Sequence, residues 1–420
     1  MMRFGLLLWM VCAAAPVLAN DWPQWRGPER NEISKETGLL KEWPEGGPKK
    51  LWMFENTGLG YSGPAVVGDT LYIMGARDDK EYLMALNVTD GSEKWATAVA
   101  PLLTNNWGDG PRGTPTIDGE HVYALTAQGY LVCARTNDGG VVWSAVMKDF
   151  GGGTPGWGYC ESVLVDGPRV VCTPGGGKGA ILALDKTNGQ AIWQSKDFKE
   201  GAQYASITIA ELNGKRQYIQ LTQKKLVGVD AENGNVLWVA SWDQGSTAVI
   251  PTPVHQGDYV YITSGYGAGC KLVKIGPDNA VSDVYANKEM KNHHGGVVLI
   301  GDHIYGHSDG GGWVCQNFMT GENVWNEKSK LGKGCLTCAD GMLYLMEENK
   351  AEVVLIEATT AGWNEHGRFT LGPLTTRRKP SGRVWTHPVV ANGRLYLRDQ
   401  DLLSCFDVRN PKVALQAAGK

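Results

Sequence analysis

The chain has 420 residues, 56 of them glycine, and a formal net charge of −4. Its charges are scattered. The one basic cluster, Arg377-Arg378-Lys379, reads as a solvated loop, which argues against a nucleic-acid partner. Past the N-terminus no apolar run is long enough to span a membrane.

In chain order, Met1-Met2-Arg3 opens a short basic start, an apolar stretch runs from Phe4 to Val17, and Val17-Leu18-Ala19 supplies the small residue at its end. This pattern predicts a secretory signal peptide over residues 1–19, cut after Ala19. Cys12 follows Met10-Val11, without the small residue of a lipoprotein cleavage site. The expected product is a soluble exported protein, periplasmic or extracellular and monomeric. Residues 20–47 differ in composition and begin Asp21-Trp22-Pro23-Gln24-Trp25-Arg26-Gly27-Pro28. They predict an extended strap across the rest of the molecule, anchored by Trp22 and Trp25.

A repeat then fills residues 48–420. Gly, three residues, then Trp stands at Gly91/Trp95, Gly139/Trp143, Gly189/Trp193, Gly234/Trp238 and Gly321/Trp325. Weaker copies end at Tyr285 and Phe369, and Trp52 precedes them all. Successive aromatics lie 40 to 50 residues apart, the period of a repeat architecture. Each period reads as four short strands joined by Gly, Asn and Asp turns, for example around Gly68-Asp69 and Asn392-Gly393. Four strands per period make one blade of a propeller. The final unit ends near Asp407 without its Trp-bearing strand, and Pro48 to Met53 looks like the missing piece. The prediction is an all-β, eight-bladed propeller of four-stranded antiparallel blades, its ring closed by the N-terminal strand so that no sheet edge is left open. The repeated Trp residues are expected to pack between blades.

The phrase Ala183-Leu184-Asp185-Lys186-Thr187-Asn188-Gly189-Gln190-Ala191-Ile192-Trp193 resembles the docking motif of the pyrroloquinoline quinone (PQQ) type propellers. The likeness spans nearly the whole mature chain. The N-terminal Asp-Trp-Pro-Gln-Trp-Arg-Gly-Pro and Asn292-His293-His294-Gly295-Gly296 resemble exported bacterial PQQ-like repeat proteins. The family includes quinoprotein dehydrogenases and cofactor-free outer-membrane assembly lipoproteins. This sequence departs from the former: it has no adjacent Cys pair, and Cys335-Leu336-Thr337-Cys338 is followed by Ala339, not by the His of a haem motif. It departs from the latter in lacking the lipid-attachment cysteine.

Ligands of propellers sit at the channel mouth, where the innermost strands begin. A planar polyanionic quinone would need rings for stacking and Arg for its carboxylates. The candidates are Arg112, Trp157, Tyr159, His293, Arg383 and Trp385. Ca²⁺ or a general base would need carboxylates, for which Asp109 and Glu161 are the candidates. No metal site is predicted from His293-His294, because adjacent strand residues face opposite sides. The leading expectation is a non-catalytic binding or assembly scaffold of the bacterial cell envelope, with no cofactor and with an envelope protein or a small ligand at the mouth. The alternative is a PQQ- and Ca²⁺-dependent dehydrogenase of alcohols or sugars, with Asp109 and Glu161 as its catalytic residues.

Overall fold

The computed structural model describes residues 21–412; the signal-peptide reading of residues 1–19 lies outside them. Eight sheets of four antiparallel strands follow one another around a ring. Blades 1 to 7 occupy residues 65–101, 116–146, 164–194, 208–241, 254–287, 297–327 and 334–370. Blade 8 takes three strands from residues 389–407, and its outer strand is Lys49–Phe54, paired antiparallel with Leu402–Asp407. Among the described residues no helix is long and apolar enough to cross a membrane, and all eight described cysteines are free thiols.

The Gly-to-Trp phrase works as a clasp between neighbours. Gly91 has φ +75°, and a Cβ built there would lie 2.6 Å from the ring of Trp52 on the preceding blade. Gly189 stands against Trp143 in the same way and Gly234 against Trp193. Glycine is needed twice over, for the left-handed backbone and for the room given to an indole. Several of these rings also reach one blade forward with a hydrogen bond. Trp52 Nε1 donates to the Val88 carbonyl, Trp95 to Thr136, Trp143 to Lys186 and Trp325 to Thr359, each at 2.9 Å. The weak copies behave likewise. Tyr285 lies over Gly321 and donates to Phe318. Phe369 packs on Gly47, a clasp glycine outside the spacing that marks the others. Two rings differ: Trp193 Nε1 has no hydrogen-bond partner, and Trp238 Nε1 bonds Gln217 of its own blade.

Residues 21–40 run through the central channel. Trp22 pairs with Val66 of blade 1, and the Pro23 carbonyl accepts from Ile117 of blade 2. Arg26 donates to the carbonyls of Thr252 and Val297, which lead into blades 5 and 6. Arg30 donates to Ser162 and Val163 at the start of blade 3. Ile33–Ser34 adds a parallel fifth strand to blade 7, and Glu36 accepts from Asn392 of blade 8. One segment thus ties seven blades together from inside and plugs the channel. Arg26, Arg30 and Glu32 adopt φ of +63°, +53° and +67°, a conformation costly for residues with a Cβ and tolerated only where the surroundings fix it.

Candidate functional site

The plug turns the channel mouth into a cup with a cavity volume of about 190 Å³. Its floor is Trp25 and Arg26 of the plug. Its wall is built from the segments that lead into successive inner strands. Tyr61 comes before blade 1, Trp107 and Arg112 before blade 2, Trp157 and Cys160 before blade 3, and Tyr204 before blade 4. The stretch Ala248 to Thr252 precedes blade 5, His293 and His294 precede blade 6, and Trp385 and His387 precede blade 8. Tyr266 reaches in from a hairpin within blade 5.

The rings form a nearly continuous belt. Trp385 lies 5.1 Å from Tyr61 and 6.2 Å from Trp107, centroid to centroid. It also neighbours His294, which contacts His293, which meets Tyr266 edge-on at 4.7 Å. Trp157 and Tyr204 pair at 5.6 Å on the other side. The polar atoms of several of these rings are engaged within the protein. Tyr61 Oη donates to the Trp107 carbonyl, Trp385 Nε1 to Glu348, and Trp25 Nε1 to Thr252 Oγ1. What those rings offer a ligand is faces and edges.

Arg112 stacks over the Tyr61 ring, its carbon 5.5 Å from the centroid, and donates to the carbonyls of Gly110 and Gly108. On the opposite wall Lys333 donates to His293 Nδ1 at 2.5 Å and pairs with Asp309 at 3.0 Å, while His293 Nε2 meets the Tyr266 hydroxyl at 2.9 Å. Burial, and then the Lys333 ammonium, push His293 down to about 4. Burial and the neighbouring His293 hold His294 well below the ordinary range, so both imidazoles are neutral at pH 7. His387 is the opposite case. Burial opposes its charge, but Cys335 and the Glu32 carboxylate 3.3 Å away hold it well above the ordinary value.

Of the residues singled out in the sequence, Arg112, Trp157, His293 and Trp385 line the cup. The other four lie elsewhere. Tyr159 is buried in the blade 2–3 core and donates to the Pro174 carbonyl. Asp109 is buried, accepts from the Asn105 N–H and pairs with Lys379 at 3.2 Å. Arg383 folds back on the carbonyls of Pro380 and Gly382. Glu161 accepts from the Thr173 N–H and hydroxyl inside blade 3. Sequence reasoning did not single out Tyr61, Tyr266, or Trp25 and Arg26 as the floor. Tyr61 had a signal: it stands three residues before Pro64, as Arg112 stands before Pro115 and Trp385 before Pro388.

Glu161 carries a prediction. Burial raises it to about 7, against the Thr173 bonds and the Arg30 charge that favour ionisation. A carboxyl raised in the native state binds more protons there than in the unfolded chain. Its contribution is therefore full below about 4.5 and is lost as pH rises through about 7. Glu161→Gln mimics the neutral form, since the Thr173 hydroxyl can accept from the new amide. The variant should gain on the order of 2–3 kcal/mol relative to wild type between pH 5 and pH 8. Denaturant titrations at both pH values measure the difference, with the histidine contributions cancelling. A pH-independent difference would contradict the assignment.

The resemblance to quinoprotein dehydrogenases implies a Ca²⁺-bridged quinone. Such a group needs several hard oxygens directed at one point. No Asp, Glu or Asn side chain lines the cup, and both candidate carboxylates are bonded elsewhere. Among the described residues no three His, Cys, Asp or Glu side chains are placed to hold a metal ion. The rings and Arg112 suit a planar anion, but the donor set does not fit the metal that would accompany it.

Comparison with known proteins gives the relationship. The family model described as outer membrane protein assembly factor BamB matches residues 36–146 and 79–327. No curated protein matches the sequence at a significant level. Among solved structures, BamB from Moraxella catarrhalis shares 16% identity and a TM-score of 0.57, over 82% of this chain and 94% of that one. Quinohemoprotein alcohol dehydrogenase from Comamonas testosteroni shares 11% identity and a TM-score of 0.61, over 94% and 81%. The computationally designed Ika8 protein shares 10% and 0.60, over 86% and 100%. An enzyme and a designed protein align as well as the assembly factor does, so these likenesses speak for the propeller fold alone. The sequence match covers more than half of the chain, and the protein belongs to the family described as outer membrane protein assembly factor BamB.

Proposed function

We propose that this protein is an exported, non-catalytic binding scaffold of the bacterial cell envelope, which holds a partner at the aromatic cup. The carrying observation is the cup's chemistry: a belt of rings over a closed floor, with no carboxylate on the lining to act as general base or metal ligand. The membership of an assembly-factor family is consistent with this reading, as is the engagement of Asp109 and Glu161 within their own loops and blades.

Two experiments test it. Purified protein titrated with PQQ and Ca²⁺, read by quinone absorbance and melting temperature, should show neither binding nor a shift at micromolar cofactor. Tight stoichiometric binding would raise the melting temperature by mass action and restore the dehydrogenase reading. In cells, a strain lacking the protein and complemented with Trp107→Ala/Trp385→Ala should keep the envelope defect of the uncomplemented strain. Full rescue would place the function away from the cup.

A further inference from the structure

Two polar groups on the cup keep unused hydrogen-bonding capacity. Arg112 is the first. Its guanidinium has five N–H donors, and the Gly108 and Gly110 carbonyls take two. Among the described residues it forms no ion pair. The Arg112 charge favours ionisation of the buried Glu81, but that carboxyl already accepts from the N–H groups of Leu103 and Ala127. His294 is the second. Its side chain is 8% exposed, it lines the cup, and its Nδ1 has no hydrogen-bond partner. A half-buried cation without a counter-ion invites an anion, and a buried neutral imidazole without a partner is costly to leave unmatched.

The rest of the lining narrows what could match them. A bound cation would meet the unpaired Arg112 guanidinium, and the carboxylates behind the wall are already engaged, Glu348 by Trp385 and Asp309 by Lys333. A sugar would find rings to stack on but none of the acidic acceptors that hold its hydroxyls. An apolar body carrying one negative charge suits both the rings and the guanidinium. The rim adds a further constraint. Trp107 and Tyr266 stand at the mouth with 45% and 46% of their surfaces exposed, beyond what a small molecule seated on the floor would cover. A chain leaving the cup would lie across them.

We infer that the cup takes the carboxy-terminal end of a partner polypeptide whose last residue is bulky and apolar. The terminal side chain is held within the ring belt and the α-carboxylate by Arg112. His294 supplies a second hydrogen bond to the terminal residue, and the preceding residues cross Trp107 and Tyr266. This deepens the scaffold reading and rests on it.

The probe is a tetrapeptide, Ala-Ala-Ala-Phe, as free acid and as carboxy-terminal amide, titrated against the purified protein by calorimetry. The acid should bind about tenfold or more tightly than the amide, the value of one charge-assisted contact. Arg112→Gln should erase that ratio, and Arg112→Lys should keep part of it because the charge remains. Should Arg112→Gln fail to fold, the acid-to-amide ratio of wild type decides alone. Trp107→Ala should weaken the tetrapeptide but not N-acetylphenylalanine, which is too short to reach the rim. Equal binding of acid and amide, or no binding of either, overturns the inference. So does N-acetylphenylalanine binding as tightly as the peptide, which would assign the cup to a small acid. These failures leave the scaffold reading standing if the cup variants still fail to complement. Binding of PQQ with Ca²⁺ would instead remove the scaffold reading itself.

Discussion

Arg26→Met is expected to destabilise the protein by about 3–5 kcal/mol, the cost of breaking a buried ion pair from one side. Arg26 and Glu32 are 1% and 2% exposed, their charged atoms 3.3 Å apart. Burial lowers the Arg26 pKa against the Glu32 charge that raises it. Take the guanidinium away and three things follow. The Glu32 carboxylate stays buried with only His387 to offset it. The Thr252 and Val297 carbonyls lose a charged donor. Residues 26 to 32 then have less to compensate three left-handed backbones. Met restores packing but none of these. The double variant Arg26→Met/Glu32→Met should recover a good part of the loss, because it leaves no charge uncompensated on that pair. Chemical denaturation measures both, and hydrogen exchange of the Trp22 and Glu32 N–H groups, which bond to Val66 and Arg26, reports whether the plug has loosened. A single variant within 1 kcal/mol of wild type would show that the plug contributes little.

The fold was legible for a physical reason. Most clasps couple a left-handed glycine to an indole of the preceding blade, with Tyr285 and Phe369 as the aromatic substitutes, and the sequence repeats the pair. Gly47 escaped because its ring partner, Phe369, is not a Trp and its spacing to Trp52 is longer by one residue. The cup was legible in part. Arg112, Trp157, His293 and Trp385 lie in segments that lead into inner strands, and that position alone points them at the mouth. Glu161 lies between Cys160 and Ser162, which both line the cup. In extended chain the residue between two that face one way faces the other, so the carboxylate points into the blade. Position in the repeat located these residues, but alternation did not decide every direction: the segments before the strands are irregular, and the adjacent His293 and His294, expected to face opposite sides, both line the cup. The plug is different in kind. Its contacts reach every part of the chain, up to 356 residues away for Glu36 and Asn392, and no local pattern encodes them.

The second large effect is expected at the seam of the ring. Arg398 is 1% exposed on blade 8. Its Nε donates to Gln400, Nη1 to the carbonyls of Ser62 and Met74, and Nη2 to Gly58. Three of those four oxygens belong to blade 1 or to the segment leading into it, so this side chain stitches the last blade to the first. Burial pulls its pKa down to about 9, against the charges of Asp401 and Asp399, which leaves it ionised at neutral pH. The seam is also held by Trp52 on Gly91 with its bond to Val88, by Arg394 and Asn392 donating to the Val88 and Gly68 carbonyls, and by Thr57 donating to Gln400. Arg398→Met should therefore cost about 3–5 kcal/mol, since buried carbonyls lose a charged donor and Met supplies none. Arg398→Lys should recover less than half, because one ammonium cannot reach carbonyls arranged for a planar fork. The distinguishing readout is where the ring opens. Limited proteolysis of Arg398→Met should cut first between residues 54 and 65, the segment that joins the closing strand to blade 1. Cleavage spread evenly over the blades would mean the seam is no weaker than any other junction, and that the plug, spanning seven blades, holds the ring closed without Arg398.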